Sequence, residues 1–149
     1  MKTAGFTLVE LVVTIGILAI MSAVAAPRFF QASTFESRGR YDNAAAIVRL
    51  AQKTAVAWRR PVYVCVTATT VSAGSAPGCG GLTTLKYPVS DAAATVSMVS
   101  GVTLNPFEIT FDGLGRPSAG ATITFTSSIA GDPARQISIA AETGYVSAN

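Results

Sequence analysis

Histidine is absent from the 149 residues. With it go the commonest general base, the commonest metal ligand and every Ser-His or Cys-His nucleophile arrangement. Charge is scarce as well: Asp, Glu, Lys and Arg make up 13% of the chain, about half the usual share, which excludes an acidic or basic disordered tail. Only two cysteines occur, Cys65 and Cys79, and a zinc site built on them would be short of ligands. The Gly-rich stretch that ends at Gly81 lacks the G-x-x-x-x-G-K pattern and a following helix, so it does not read as a phosphate loop. Asp112, Asp132 and Glu142 are the carboxylates that could gather in the carboxy-terminal third, yet no set of nucleophile, base and oxyanion donor can be named around them. They read as turn and strand-edge residues. No catalytic residue, metal or cofactor is expected, and the chain does not read as an enzyme.

What the sequence does have is a local excess of hydrophobic residues. Half of the chain is hydrophobic, but from Phe6 to Phe30 the count is 18 of 25, against roughly 45% elsewhere, an ordinary globular level. The length suits one modest soluble domain of about 120 residues behind that segment. Charge is divided in the same way. Residues 1–60 carry eight Lys/Arg and three Asp/Glu, a net +5, while residues 61–149 carry three and five, a net −2. A basic stem and a slightly acidic head do not describe a protein that coats nucleic acid.

The amino terminus reads MKTAG, FTLVELVVTIGILAIMSAVAA, PRFF. Phe6 to Ala26 would be about 31 Å long as a helix, sufficient to span a bilayer. Three readings fit that much: a cleaved secretory signal with Ala23-Val24-Ala25 as the small-x-small site, a plain single-pass anchor, or a buried core helix. Glu10 speaks against all three, because an unpaired carboxylate in a membrane segment costs on the order of 2.5–3.5 kcal/mol on insertion scales.

Gly5-Phe6, Thr7-Leu8-Val9-Glu10, a charge-free run from Leu11 to Pro27 and then Arg28 resemble the start of the type IV prepilins, including the pseudopilins of type II secretion. The resemblance implies cleavage by prepilin peptidase between Gly5 and Phe6 and N-methylation of Phe6. It also implies that Glu10 serves assembly, its carboxylate meeting the Phe6 amine of a neighbouring subunit. A buried carboxylate is tolerable when a cation meets it. Pro27 removes a backbone hydrogen bond and should kink or locally melt the helix, or end it.

Beyond Pro27, residues 31–60 keep a helical composition. At 100° per residue Ile47, Leu50, Ala51, Thr54 and Trp58 share one face, expected to pack on a sheet, with Arg38, Asp42, Arg49, Lys53 and Arg60 opposite. Trp58 reads as a core residue, Arg38 and Asp42 as a weak i, i+4 pair, and Pro61 as the stop. Strands are expected at Val62–Thr67, Phe107–Asp112, Ala121–Thr126 and Arg135–Ala140, with weaker candidates at Leu82–Val89 and Ala94–Val99. Ser72–Gly81 reads as a loop, and 113–117 and 142–144 as turns. Because the amino terminus is export-directed, a Cys65–Cys79 disulfide is favoured over two free thiols; it would close a loop of about 15 residues.

The run ITFDGLGRP, then ATITF, then RQISIAAETGYV resembles the minor pilins and pseudopilins of the GspH/FimT group. PRFF and the cysteine pair also resemble minor pilins of the mannose-sensitive haemagglutinin system. The resemblance implies an α+β pilin fold: a long amino-terminal helix packed on a bent antiparallel β-sheet head. The expected organisation is a leader at 1–5, a transmembrane and filament-core helix at 6–26, an amphipathic helix at 27–60 and a β-rich head at 61–149.

The function so implied is structural: a minor pilin or pseudopilin, held in the inner membrane with a periplasmic head in a Gram-negative cell, then built into a type IV pilus or a secretion pseudopilus. Its implied partners are other pilin subunits, prepilin peptidase, the inner membrane and an assembly platform with its ATPase. A DNA-uptake or adhesive minor pilin is the alternative binding reading. It is disfavoured because the turn at Gly144-Tyr145-Val146-Ser147 has no arginine, and one or two phosphate contacts from Arg116 and Arg135 would hold nucleic acid weakly. The stem cations Arg38, Arg49, Lys53 and Arg60 could form a stripe, or simply a solvated helix face or contacts with neighbouring subunits. A secreted protein with a cleaved signal is the remaining alternative.

Overall fold

The computed structural model describes residues 7–149, apart from the side chains of residues 24–31. It divides into two compact units, residues 1–33 and Thr34–Asn149. In the first, Thr7 stands before helix α1 (Leu8–Trp58). Its hydroxyl accepts the Glu10 N–H at 3.3 Å and its carbonyl accepts the Leu11 N–H at 3.2 Å. This is an N-cap, and the Thr-x-x-Glu spacing is that of a capping box. From Leu8 to Ala23 every side chain is exposed, Ile20 by 70%. The helix does not end at Pro27; the kink expected there falls among residues whose side chains lie outside the described ones.

In the second unit the helix buries Ser37, Tyr41, Ala44, Ala45, Ile47, Val48, Ala51 and Ala55. This face is turned by roughly 80° from the expected one, because its centre is made of alanines that a count of large apolar residues underweights. Leu50 and Thr54 are only half-buried, and Trp58 is 52% exposed rather than a core residue. Among the described residues the ion pair along the helix joins Glu36 to Arg40 at 3.2 Å, not Arg38 to Asp42.

The helix also stops earlier than Pro61 requires. The Arg60 N–H donates to the Ala55 carbonyl and the Arg59 N–H to the Val56 carbonyl, both at 3.3 Å, with Arg59 at φ 51°. These are the two bonds of a Schellman cap, with arginine where glycine is usual.

The head is antiparallel throughout and forms two four-stranded sheets. The first has the order β3 (Thr95–Ser97), β2 (Thr70–Gly74), β1 (Val62–Val66), β5 (Phe107–Phe111). The second has the order β4 (Val102–Leu104), β6 (Ala121–Ser127), β7 (Arg135–Ile139), β8 (Val146–Ala148). Val64, Ile109 and Phe111 from one sheet, and Ile123, Phe125, Ile137 and Ile139 from the other, alternate inward and join the helix alanines in one core. Burying each such side chain contributes about 1.5–3 kcal/mol.

Two sequence expectations fail here. Ser72–Gly81 is not all loop, since Thr70–Gly74 pairs with β1 through a tight turn at 67–70 and buries Val71 and Ala73. Leu82–Val89 is not a strand: only the isolated bridges Gly74↔Thr84 and Lys86↔Ala93 touch it, and Pro88 interrupts the run.

Candidate assembly surfaces

Two features mark the first unit. One is Glu10, exposed in the first turn of α1, where a carboxylate also complements the positive end of the helix dipole. The other is the exposed apolar surface around it, from Leu8 to Met21. Gly5 and Phe6 lie outside the described residues. Among the described residues no helix is long and apolar enough to cross a membrane; Phe6 and the side chains of residues 24–26, which complete the expected span, are not among them.

In the second unit, polar side chains that were not legible in the sequence add hydrogen bonds to the apolar packing of the helix on the sheets. Gln52 donates from its amide nitrogen to the carbonyls of Gly115 and Thr143, each at 3.1 Å. It thereby holds the 113–117 turn and the 142–144 turn together. The glycines of those turns are there for space. A β-carbon on Gly113 would meet the Arg59 backbone at 2.9 Å, and Gly144, at φ 68°, lies against the Gly115 carbonyl. Only glycine adopts that φ readily.

Ser37 donates to Asp132 at 2.6 Å, and Arg135 pairs with the other Asp132 oxygen at 2.8 Å. Burial would push this carboxyl up, but hydrogen bonds from Ser37, Ser127 and Arg135 and the Arg135 charge outweigh it and hold it below the usual carboxylate range. Tyr41 shares its hydroxyl hydrogen between the carbonyls of Gln136 at 2.8 Å and Asn149 at 2.9 Å, and its ring meets Phe125 edge-on with centroids 5.0 Å apart. Burial, then the nearby Asp42 charge, raises its phenol.

The other predicted residues are placed as follows. Cys65 and Cys79 are joined, with α-carbons 5.4 Å apart. Cys65 points away from the core and is buried beneath the loop it anchors; Glu108, its register partner on β5, accepts the Gly78 N–H at 2.8 Å and holds the same loop. Asp112 and Asp132 do separate work: Asp112 is exposed and accepts the Arg116 and Leu114 N–H groups at 2.8 Å, which hold its carboxyl below the usual range. Glu142 makes no ion pair among the described residues. Arg135 is engaged by Asp132 and lies 5.8 Å from the Tyr41 ring centre. Arg38, Arg49, Lys53 and Arg60 are all exposed, and Arg49 reaches the Val146 carbonyl at 3.4 Å.

Residues 1–26 match the prokaryotic N-terminal methylation motif, and residues 41–144 match the family described as type II transport protein GspH. The chain belongs to the GspH family. This match covers the two turns that Gln52 joins, the Asp132–Arg135 pair and the disulfide.

Among solved structures, the GspH-family chain is similar to the type IV minor pilin FimU of Pseudomonas aeruginosa, with a TM-score of 0.58 and 16% identity over 76% of this chain and 88% of that one. It is similar to the minor pseudopilin EpsH from the type 2 secretion system of Vibrio cholerae, with a TM-score of 0.59 and 11% identity over 76% and 96%. At those identities the likeness is one of fold. A stretch of 65 residues, 44% of the chain, is 35% identical to the type IV narrow pilus major component PilA5 of Thermus thermophilus, and it spans 56% of that relative's length.

Proposed function

We propose that this GspH-family chain is a structural subunit, a minor pilin or pseudopilin, that prepilin peptidase cleaves between Gly5 and Phe6 and that is then built into a type IV pilus or a type II secretion pseudopilus. The observation that carries the reading is the amino-terminal helix. A methylation motif covers residues 1–26, and the helix that begins within it exposes apolar side chains on all sides with Glu10 as the one charge from Leu8 to Ala23. A helix that is hydrophobic all round is stable only when covered, first by lipid and then by the same helix of neighbouring subunits.

On this reading Phe6–Ala26 anchors the subunit in the inner membrane with the head in the periplasm. The head at 61–149 packs on the amphipathic half of the helix, and Pro27 marks a weak point between the halves. The assembly platform and its ATPase act on the membrane end. The DNA-binding alternative gains nothing from Arg135, whose charge is engaged by Asp132. Mass spectrometry of the mature amino terminus tests the proposal: an N-methylated Phe6 is the expected result, and a chain starting at Ala26 would exclude it.

A further inference from the structure

Three surface clefts meet at the last turn of α1. One of about 590 Å³ is lined by Val56, Arg59, Gly113 and Leu114, one of about 410 Å³ by Trp58 and Arg60, and one of about 290 Å³ by residues that include Lys53, Trp58, Lys86 and Pro88. Val56, Trp58 and Leu114 are exposed by 47%, 52% and 76%. Three large apolar side chains thus face solvent around one turn of helix, and apolar surface gathered in this way marks a place of contact.

The charge of these clefts has one sign. Lys53, Arg59, Arg60 and Lys86 line them, and among the described residues no carboxylate does. Lys86 is paired with Asp91 at 2.8 Å, whereas the other three make no ion pair among the described residues. Arg59 also stands at φ 51°, where a helix end usually has glycine. An arginine kept at a backbone position that disfavours it points to a use for its guanidinium. Tryptophan and arginine are the side chains that most often anchor protein interfaces, and unpaired cations around an apolar surface match carboxylates around another.

We propose that the Val56–Arg60 end of α1, with Leu114 beside it, docks a different filament subunit through a face on which carboxylates surround an apolar side chain. A second copy of this chain does not supply that face. From Thr34 onward all its carboxylates except Asp42 and Glu142 are engaged by an ion pair or a hydrogen bond. Those two form no cluster: the Glu142 turn is held at Gln52, ten residues or about 15 Å along α1 from Asp42. Nor is nucleic acid the better match, since three unpaired cations hold it weakly at physiological salt and its phosphates give Val56 and Leu114 nothing to pack on. A partner unlike itself is what a minor subunit meets in a filament, and in naming a filament subunit the docking rests on the proposed function.

The test uses the full chain in its own cells. A carbodiimide joins a lysine amine to a carboxylate that touches it, with loss of water and no spacer. The lysines of the chain are Lys2, Lys53 and Lys86, and Lys2 leaves with the leader, so the two that remain both line the clefts. Sheared filaments treated in this way should give a cross-link from Lys53 to an Asp or Glu of a different subunit, identified by mass spectrometry of the linked peptides. Lys53→Arg with Lys86→Arg keeps both charges and should abolish it, and Arg60→Lys in that background should restore it. Arg59→Gly separates docking from folding: glycine suits this backbone position, so the melting midpoint should hold or rise while incorporation falls about tenfold. Leu114→Asp, which puts a carboxylate on an exposed turn beside Arg59, should repeat the loss. A cross-link between two copies of this chain, none in incorporated chain with either lysine placement, as a bound nucleic acid would give, or full incorporation of Arg59→Gly would each overturn the docking and leave the filament reading intact. Absence of the wild-type chain from filaments would overturn that reading, and the docking with it.

Discussion

Gln52 and Gly115 meet at 3.1 Å, the glutamine amide donating to the glycine carbonyl while its other hydrogen goes to Thr143. One side chain thus fixes two turns 28 residues apart in sequence against a single helical position. Gln52→Leu keeps the helix propensity and removes both donors. It should destabilise the head by about 1–2 kcal/mol, since the orphaned carbonyls are only partly shielded from water. Thermal melting of the detergent-solubilised chain measures it, and an unchanged midpoint would rule out the clamp.

Asp132 gives stability a defined dependence on pH. Its carboxyl is held below the usual range in the folded chain, against about 3.9 when unfolded. The folded state therefore binds the proton less readily. The stabilisation is complete above the unfolded value and is lost as pH falls through the folded one. Asp132→Asn should lower stability by about 2 kcal/mol or more at neutral pH, leaving Arg135 and Ser37 without their acceptor, and the gap to wild type should narrow below about pH 4. Urea titrations at pH 7 and pH 3 measure both values; a gap of equal size at the two would exclude an ionised Asp132 as the source.

How much of this was legible in the sequence depends on what each element relies on. The amino-terminal motif is local, since Thr7, Glu10 and the apolar run stand within one stretch. Strands β5, β6 and β7 alternate cleanly, as half-buried strands do. Strand β2, made of small residues with Gly74 at its end, owes its place to pairing with β1. The helix was legible and its buried face only in part: Ile47 and Ala51 were expected there and are buried, whereas Ala44, Ala45 and Ala55 bury little area each and count only when a sheet comes close. Gln52 and Ser37 gave no signal at all: their roles exist only once the 113–117 turn, the 142–144 turn and Asp132 have arrived from the far end of the chain.

The disulfide staples a loop over the outer face of β1, and Glu108 holds the same loop by the Gly78 N–H. Replacing both cysteines, Cys65→Ser with Cys79→Ser, should lower stability by about 3 kcal/mol, the chain-entropy value for a loop of this length. Protease should then cut first between residues 75 and 83, where Pro77, Gly78 and Gly80 are exposed. Limited proteolysis followed by mass spectrometry locates the cut; first cleavage elsewhere would show that Glu108 alone secures the loop.

On the proposed function, Glu10 is the residue that separates insertion into the membrane from assembly. Its carboxylate opposes insertion by on the order of 2.5–3.5 kcal/mol, so removing it cannot weaken the hold of the membrane. If its role is to meet a cation on a neighbouring subunit, removing it must weaken assembly. Glu10→Gln is the sharper variant, because glutamine also suits the third position of the Thr7 capping box and leaves the start of α1 as it is. The amount in the membrane fraction should stay the same or rise, while the amount in sheared filaments falls about tenfold or more. Immunoblots of the two fractions decide. Equal incorporation of Glu10→Gln and wild type would mean that the charge is not what assembly reads, whereas a loss shared by Glu10→Gln and Glu10→Ala would assign the effect to the charge and not to the cap.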